Sequence, residues 1–364
     1  MDPPRRRSRR VAEQDPDRPP KRQKTSQTAR ASSHVTASID DLGAGPPHTS
    51  ARDILASYAP SRGPQDEKLV ACLNAFLDFL PPDGATAVAN DIVRCGDDDD
   101  ELFQVFENLR TALLVPMKSA SRGPSVVSSP HSKRKEAVES VAQNLPSPLV
   151  RERRFREDCL RRDNYHCVVS KVMDLGHWEE IGSPQEQRRA AVEAAHIIPF
   201  SYANFRDKEA PPKDIIERWA VLYRCFPFLE GTVKANNIND LSNALSLHAT
   251  LHREFGNFTM SFQPMEKGNT YRVKTYPRFD TEFHSLPKDG ILELDPNTDD
   301  SLQLPDPNLL AVHFAIAEVL HASGMGNEID KVIRDMESIG CLREDGATDI
   351  GRILNTALWV GATA

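Results

Sequence analysis

A few side chains in this sequence are of types and spacings that could do chemistry. His196 ends the apolar run Val192-Glu193-Ala194-Ala195-His196, and Asn243 lies far downstream. His252 follows Asn243 by nine residues, and Glu193 precedes His196 by three. An imidazole with an unperturbed pKa of ~6.5 exchanges protons at neutral pH. Imidazole nitrogens and carboxylate oxygens are also donors for divalent cations. Alternation along the run turns Glu193 and Ala195 to one face and His196 to the other. His248 and His252, four residues apart, could share a helix face. A zinc-protease reading of that pair fails, because Ala249 stands where H-E-x-x-H needs its Glu.

The order His196, Asn243, His252 resembles the HNH endonucleases. Ala-His-Ile-Ile-Pro-Phe (Ala195 to Phe200) and Leu-His-x-x-Phe-Gly (Leu251 to Gly256) are similar to phrases that recur in fungal HNH-domain proteins. The resemblance spans roughly residues 161–276. It implies a ββα unit around one divalent metal ion, with a nucleic acid, DNA in the first instance, as substrate. It further implies His196 as general base toward water and Asn243 as the residue that ties the two strands together. His252 becomes the metal ligand. Family members often carry a second ligand four residues after the helical His, where this chain has Gly256, and another just before the base, where it has Ala195. Glu193, on the strand face of Ala195, is the candidate carboxylate in their place. So thin a set suits Mg²⁺, which keeps most of its waters, with Mn²⁺ or Zn²⁺ as alternatives. An HNH shell without turnover, acting as a nucleic-acid-binding or protein-interaction module, is the competing reading.

These residues need two short strands and a helix to hold them. The 46 residues between His196 and Asn243 exceed a minimal connection, and they include a helix over 213–225 whose Trp219, Leu222 and Tyr223 read as core. Upstream, residues 149–163 form a basic helix whose Arg151, Arg153, Arg154, Arg161 and Arg162 are candidate phosphate contacts. Tyr165 to Val169 reads as a short buried strand. A helix spans 248–255, with Gly256-Asn257 as its cap, and strands at 258–262 and 271–276 pair across the turn between them.

The rest of the chain divides by composition. With 364 residues, 39% apolar residues and 27 prolines, part of it should lack a packed core. Residues 1–50 form a disordered basic tail. In it, Arg9-Arg10 and Lys21-Arg22-Gln23-Lys24 resemble a bipartite nuclear import signal. Residues 51–118 form a helical module, in which the acidic run 97–101 complements a helix N-terminus. A Ser/Pro-rich linker covers 119–148, the HNH-like domain 149–278, and an acidic helical region 279–364, with helices at 309–320, 330–339 and 350–359. That last region either packs on the nuclease-like unit or meets a protein partner. The expected class is α+β, mostly helical.

Net charge is −8, yet residues 151–278 hold 20 basic and 17 acidic side chains, a local excess of +3. That balance permits a phosphate backbone without demanding one. Six scattered cysteines without a C-x-x-C pair argue against a cysteine-rich zinc site or a disulfide scaffold and for an intracellular setting. The apolar windows are too short to span a bilayer, so no membrane association is expected.

Overall fold

The computed structural model describes residues 46–62, 66–118, 130–131, 138–139, 141, 153–203, 212–280, 286–294 and 302–339. All belong to one compact unit. The two basic N-terminal clusters, most of the 119–148 stretch, Arg151 and the helix expected at 350–359 lie outside the described residues.

Amphipathic segments build the first layer: α1 (Pro46–Ser57), α2 (Leu69–Phe79), α3 (Pro82–Cys95), α4 (Asp99–Leu109) and α5 (Val115–Lys118). A π-helical turn, Arg110–Leu114, joins the last two. Asp98 caps α4, its carboxylate accepting from Asp100 N–H at 2.9 Å and Glu101 N–H at 3.0 Å. The acidic run thus does what short polar side chains do at a helix start. Where α4 becomes buried, Arg110 and Glu107 neutralise each other through two hydrogen bonds of 2.7 and 2.6 Å.

This layer shares its core with α8 (Lys213–Cys225). Trp219 and Leu222 are fully buried and Tyr223 half-buried, so these residues are core, as their spacing suggests. Trp219 Nε1–H donates to the Tyr202 carbonyl at 2.9 Å. The α3–α8 approach depends on Gly84, where a β-carbon would lie 1.9 Å from the Cys225 carbonyl oxygen.

The α+β part begins with α6 (Arg153–Arg162). The strand expected from Tyr165 to Val169 does not form. Asn164 and Tyr165 take left-handed φ angles of 52° and 57°, and His166 makes only an isolated bridge to Met173. Tyr165 N–H donates back to the Leu160 carbonyl at 2.6 Å. The apolar pentad is buried as a turn, which a run of that length cannot distinguish from a strand.

Then follow β1 (Met173–Asp174), α7 (Leu175–Glu180) and β2 (Arg189–Ala190), β1 and β2 pairing in parallel. The central hairpin is β3 (Val192–His196) against β4 (Ala244–His248), antiparallel, followed at once by α9 (Ala249–Gly256). An antiparallel sheet of β5 (Met260–Pro264), β6 (Thr270–Thr275) and β7 (Ile291–Glu293) comes next. Its β5–β6 hairpin turns at the position expected for it.

Part of the acidic C-terminal region packs on this body. Asp306 caps α10 (Pro307–Ser323), and Gly324 ends it in a left-handed conformation at φ 72° before α11 (Met325–Ile339). Leu309, Val312, Ile316 and Leu320 of α10 are buried. Lys118 and Arg278 both pair with Asp330 of α11. Among the described residues no single helix is long and apolar enough to cross a membrane. Only α10 taken with Met325–Lys331 meets that composition, and the pair is bent by 90°.

Candidate active site

The hairpin register determines what can meet what. Val192 pairs with His248, Ala194 with Ser246 and His196 with Ala244, so these share one face. Glu193 and Ala195, opposite Leu247 and Leu245, share the other. Helix α6 covers the first face, where Phe155 and Cys159 pack on Ala194 and Ala244. Helix α9 brings His252 to the second.

On the α6 face the His196 ring stacks on Phe155, centroids 4.3 Å apart and 18° from parallel, with Phe200 tilted at 5.9 Å. Its Nε2–H donates to Asn239 Oδ1 at 3.1 Å. The chain beyond His196 is held by Asn243, which is fully buried. Asn243 Oδ1 accepts from Ile198 N–H at 2.8 Å. Its Nδ2 donates to the carbonyls of Ile198 at 3.0 Å and Ile238 at 2.9 Å. Its own carbonyl accepts from Ile197 N–H at 3.0 Å. A buried amide with every polar atom engaged fixes the backbone around it, and here that backbone carries His196.

On the α9 face Glu193 and His252 meet. His252 Nδ1–H donates to Glu193 Oε2 at 2.6 Å, with side chains 31% and 49% exposed for His252 and Glu193. The helix start explains the local geometry. His248 is the last residue of β4 rather than the first of the helix, and its Nδ1 accepts from Thr250 N–H at 3.1 Å as an N-cap. Burial, with Arg188 nearby, lowers its pKa and favours the neutral ring a cap requires. Of the two histidines spaced four apart, His252 is bonded to Glu193, while His248 spends its Nδ1 on the cap. Helix α9 ends at Gly256-Asn257 as expected, though the left-handed residue is Phe258 at φ 60°.

The C-terminal end of α9 is pinned by α10. His313 Nε2–H donates to the Phe255 carbonyl at 3.0 Å and His321 Nε2–H to the Phe258 carbonyl at 2.7 Å. The His313 ring stacks on Phe255 with centroids 3.7 Å apart. Full burial pushes its pKa down to about 3.

Glu193 and His196 point to opposite faces and are separated by three residues of strand rise, about 10 Å. The structure therefore unites Glu193 with His252 on one face of β3, and Asn243 with the His196 loop on the other. Among the described residues no cluster of three or more His, Cys, Asp or Glu side chains could hold a metal ion. With Nδ1 spent on Glu193, His252 offers Nε2 on the far side of its ring, and Glu193, behind the ring, orients it and does not reach the same ion, a correction to Glu193 as a ligand. One nitrogen fits an ion that retains its waters and does not fit a closed zinc cage.

The arginines of α6 separate by environment. Arg154 is exposed, and Arg161 is exposed beside Asp158 at 3.5 Å. Arg153 opens the helix. Arg162 is a correction: its side chain is wholly buried and cannot reach a phosphate. Its guanidinium donates to Asp163 at 2.7 and 2.8 Å and to the carbonyls of Leu241 at 2.7 Å and Ala244 at 3.0 Å. It braces the turn that carries Asn243. Two residues that hold the His196 ring, Asn239 and Phe155, carry no functional sign in the sequence. Asn239 stands in an Asn/Asp-rich stretch that looks like any turn, and Phe155 reads as core on a helix stripe.

Residues 167–263 match a protein-family model described as HNH endonuclease. No curated protein and no solved structure matches the chain.

Proposed function

We propose that residues 167–263, which match the HNH endonuclease family model, hydrolyse phosphodiester bonds in a nucleic acid, DNA in the first instance, with a divalent ion, Mg²⁺ before Mn²⁺ or Zn²⁺. The observation that carries the reading is the Asn243 clamp on the His196 loop. A family motif kept only as a shell would have no need to orient that one imidazole so fully. In this reading His196 takes the proton of the attacking water, with Asn239 and Phe155 holding its ring. Asn243 positions it. His252 would hold the ion through Nε2, and Glu193 would fix the His252 ring from its Nδ1 side. The bound ion would supply charge stabilisation at the phosphate. Exposed Arg154 and Arg161, with Arg151 and Arg153, would contact the backbone. The basic N-terminal clusters would direct the chain to the nucleus.

The test is nicking of supercoiled plasmid by the full chain in Mg²⁺, Mn²⁺ or EDTA, beside His196→Ala and His252→Ala. Metal-dependent nicking lost in both variants supports hydrolysis. A second reading, a nucleic-acid-binding module without turnover, is favoured by the single-donor metal side and by Ala195 and Gly256. Folded protein that binds DNA but nicks plasmid in none of these conditions would establish it.

A further inference from the structure

Away from the His196 face lies a second polar feature. A cleft of about 480 Å³ opens between the 168–171 turn and the β7 hairpin. Its lining includes the exposed cations Lys171, Arg188 and Lys288. The acidic residue on its wall, Glu293, is engaged by Lys267 Nζ at 2.7 Å, so its charge is already met. Ser170, only 9% exposed, also lines the cleft, and its hydroxyl has no hydrogen-bond partner among the described residues. A buried hydroxyl left unmatched is costly unless something arrives to pair with it.

The location gives this charge a purpose. Arg188 stands just before β2, and three residues on, the Ala191 carbonyl accepts from the N–H of Ala249, the first residue of α9, at 3.1 Å. His248 caps α9, and His252 is one helical turn further, about 6 Å of rise. The cleft is therefore beside the start of the helix that carries the candidate metal ligand. It draws on three separated chain segments, 168–171, 188 and 286–293, and none of its cations belongs to the arginine helix α6.

We propose that this cleft is a phosphate-backbone contact for a polynucleotide strand that runs past Glu193 and His252. Lys171, Arg188 and Lys288 neutralise successive phosphates, and the Ser170 hydroxyl donates to a phosphate oxygen. The class of ligand, though not the cleft, rests on the nuclease reading above.

The experiment is binding of the full chain to a fluorescein-labelled DNA duplex in EDTA, between about 50 and about 200 mM salt. The variant is Lys171→Gln/Arg188→Gln/Lys288→Gln, with its unfolding midpoint matched to the parent. Its salt slope should fall by about 2 to 3, nearly one for each phosphate no longer neutralised, and its affinity at the lowest salt by at least about tenfold. Ser170→Ala should weaken binding with the slope unchanged, because a hydroxyl releases no counterion. Equal slopes and affinities for parent and triple variant would overturn the proposal, as would a parent chain that binds no DNA. Displacement of the DNA by low concentrations of inorganic phosphate, in the parent but not the triple variant, would also overturn it by showing a small-anion pocket. Because EDTA abolishes metal-dependent turnover, a chain that never nicks plasmid can still pass, and one that nicks can still fail.

Discussion

The two faces of β3 differ in how firmly they hold a histidine. On the α6 face, His196 is stacked on Phe155, bonded to Asn239 and followed by backbone that Asn243 ties down on three sides. Arg162 braces the same turn from beneath with a wholly buried guanidinium. On the α9 face, His252 has one carboxylate partner, and both side chains are partly in solvent. Orientation is built in on the first face and left to an incoming group on the second. A base must be aimed before the substrate arrives. A water-rich ion brings much of its own coordination shell, so one nitrogen and a carboxylate that orients its ring suffice.

The largest effect is expected where the hold is firmest. His196→Ala should lower nicking by about 10²- to 10⁴-fold while changing stability by no more than about 1.5 kcal/mol, the scale of a lost ring pair. Equal losses of activity and of folded protein would mean that the ring is structural. Asn243→Ala should cost about 3 kcal/mol or more in denaturant unfolding, because it strands a buried N–H and two carbonyls. A loss below about 1 kcal/mol would show that the clamp is not what holds the loop.

The far end of α9 adds a pH dependence to the same contrast. The His313 pKa of about 3 lies below its unfolded value of 6.5. Above pH 6.5 the ring is neutral in both states, and its full contribution is present. As pH falls from 6.5 toward about 3, the unfolded chain takes up a proton that the folded chain refuses, so stability is lost. The loss is about 1.4 kcal/mol per pH unit, or about 2 kcal/mol by pH 5. His313→Phe, which keeps the ring, should flatten that part of the stability–pH curve. An unchanged slope would place the acid sensitivity elsewhere.

The smallest effect on stability is expected at the exposed pair. His252→Ala and Glu193→Gln should each shift unfolding by less than about 1 kcal/mol, as exposed ion pairs do. Their effect should be seen in metal-dependent activity instead. A large stability loss would make the pair part of the framework and erase the contrast.

What could be read from the sequence follows the same division. Asn243, His196 and His252 are legible because their order and spacing belong to one local unit. Glu193 is legible because strand alternation is local too. Arg162 misleads because nothing in a run of arginines marks the one whose partners are the carbonyls of Leu241 and Ala244, some 80 positions away. Asn239 and His313 escape notice for that reason as well, since their partners lie across the fold. The Tyr165 to Val169 turn shows the other limit: an apolar run reports burial, and the left-handed residues that decide its path carry no sign in composition. The cleft is assembled by tertiary packing alone.

The two faces are separated most cleanly by Mn²⁺ binding, followed by electron paramagnetic resonance on the full chain and on His196→Ala, His252→Ala and Glu193→Gln. We expect His252→Ala to abolish the bound signal and Glu193→Gln to weaken it. His196→Ala should leave it intact, because that ring is on the opposite face of β3. Loss of the signal in His196→Ala, or its persistence in His252→Ala, would refute the division of labour between the faces.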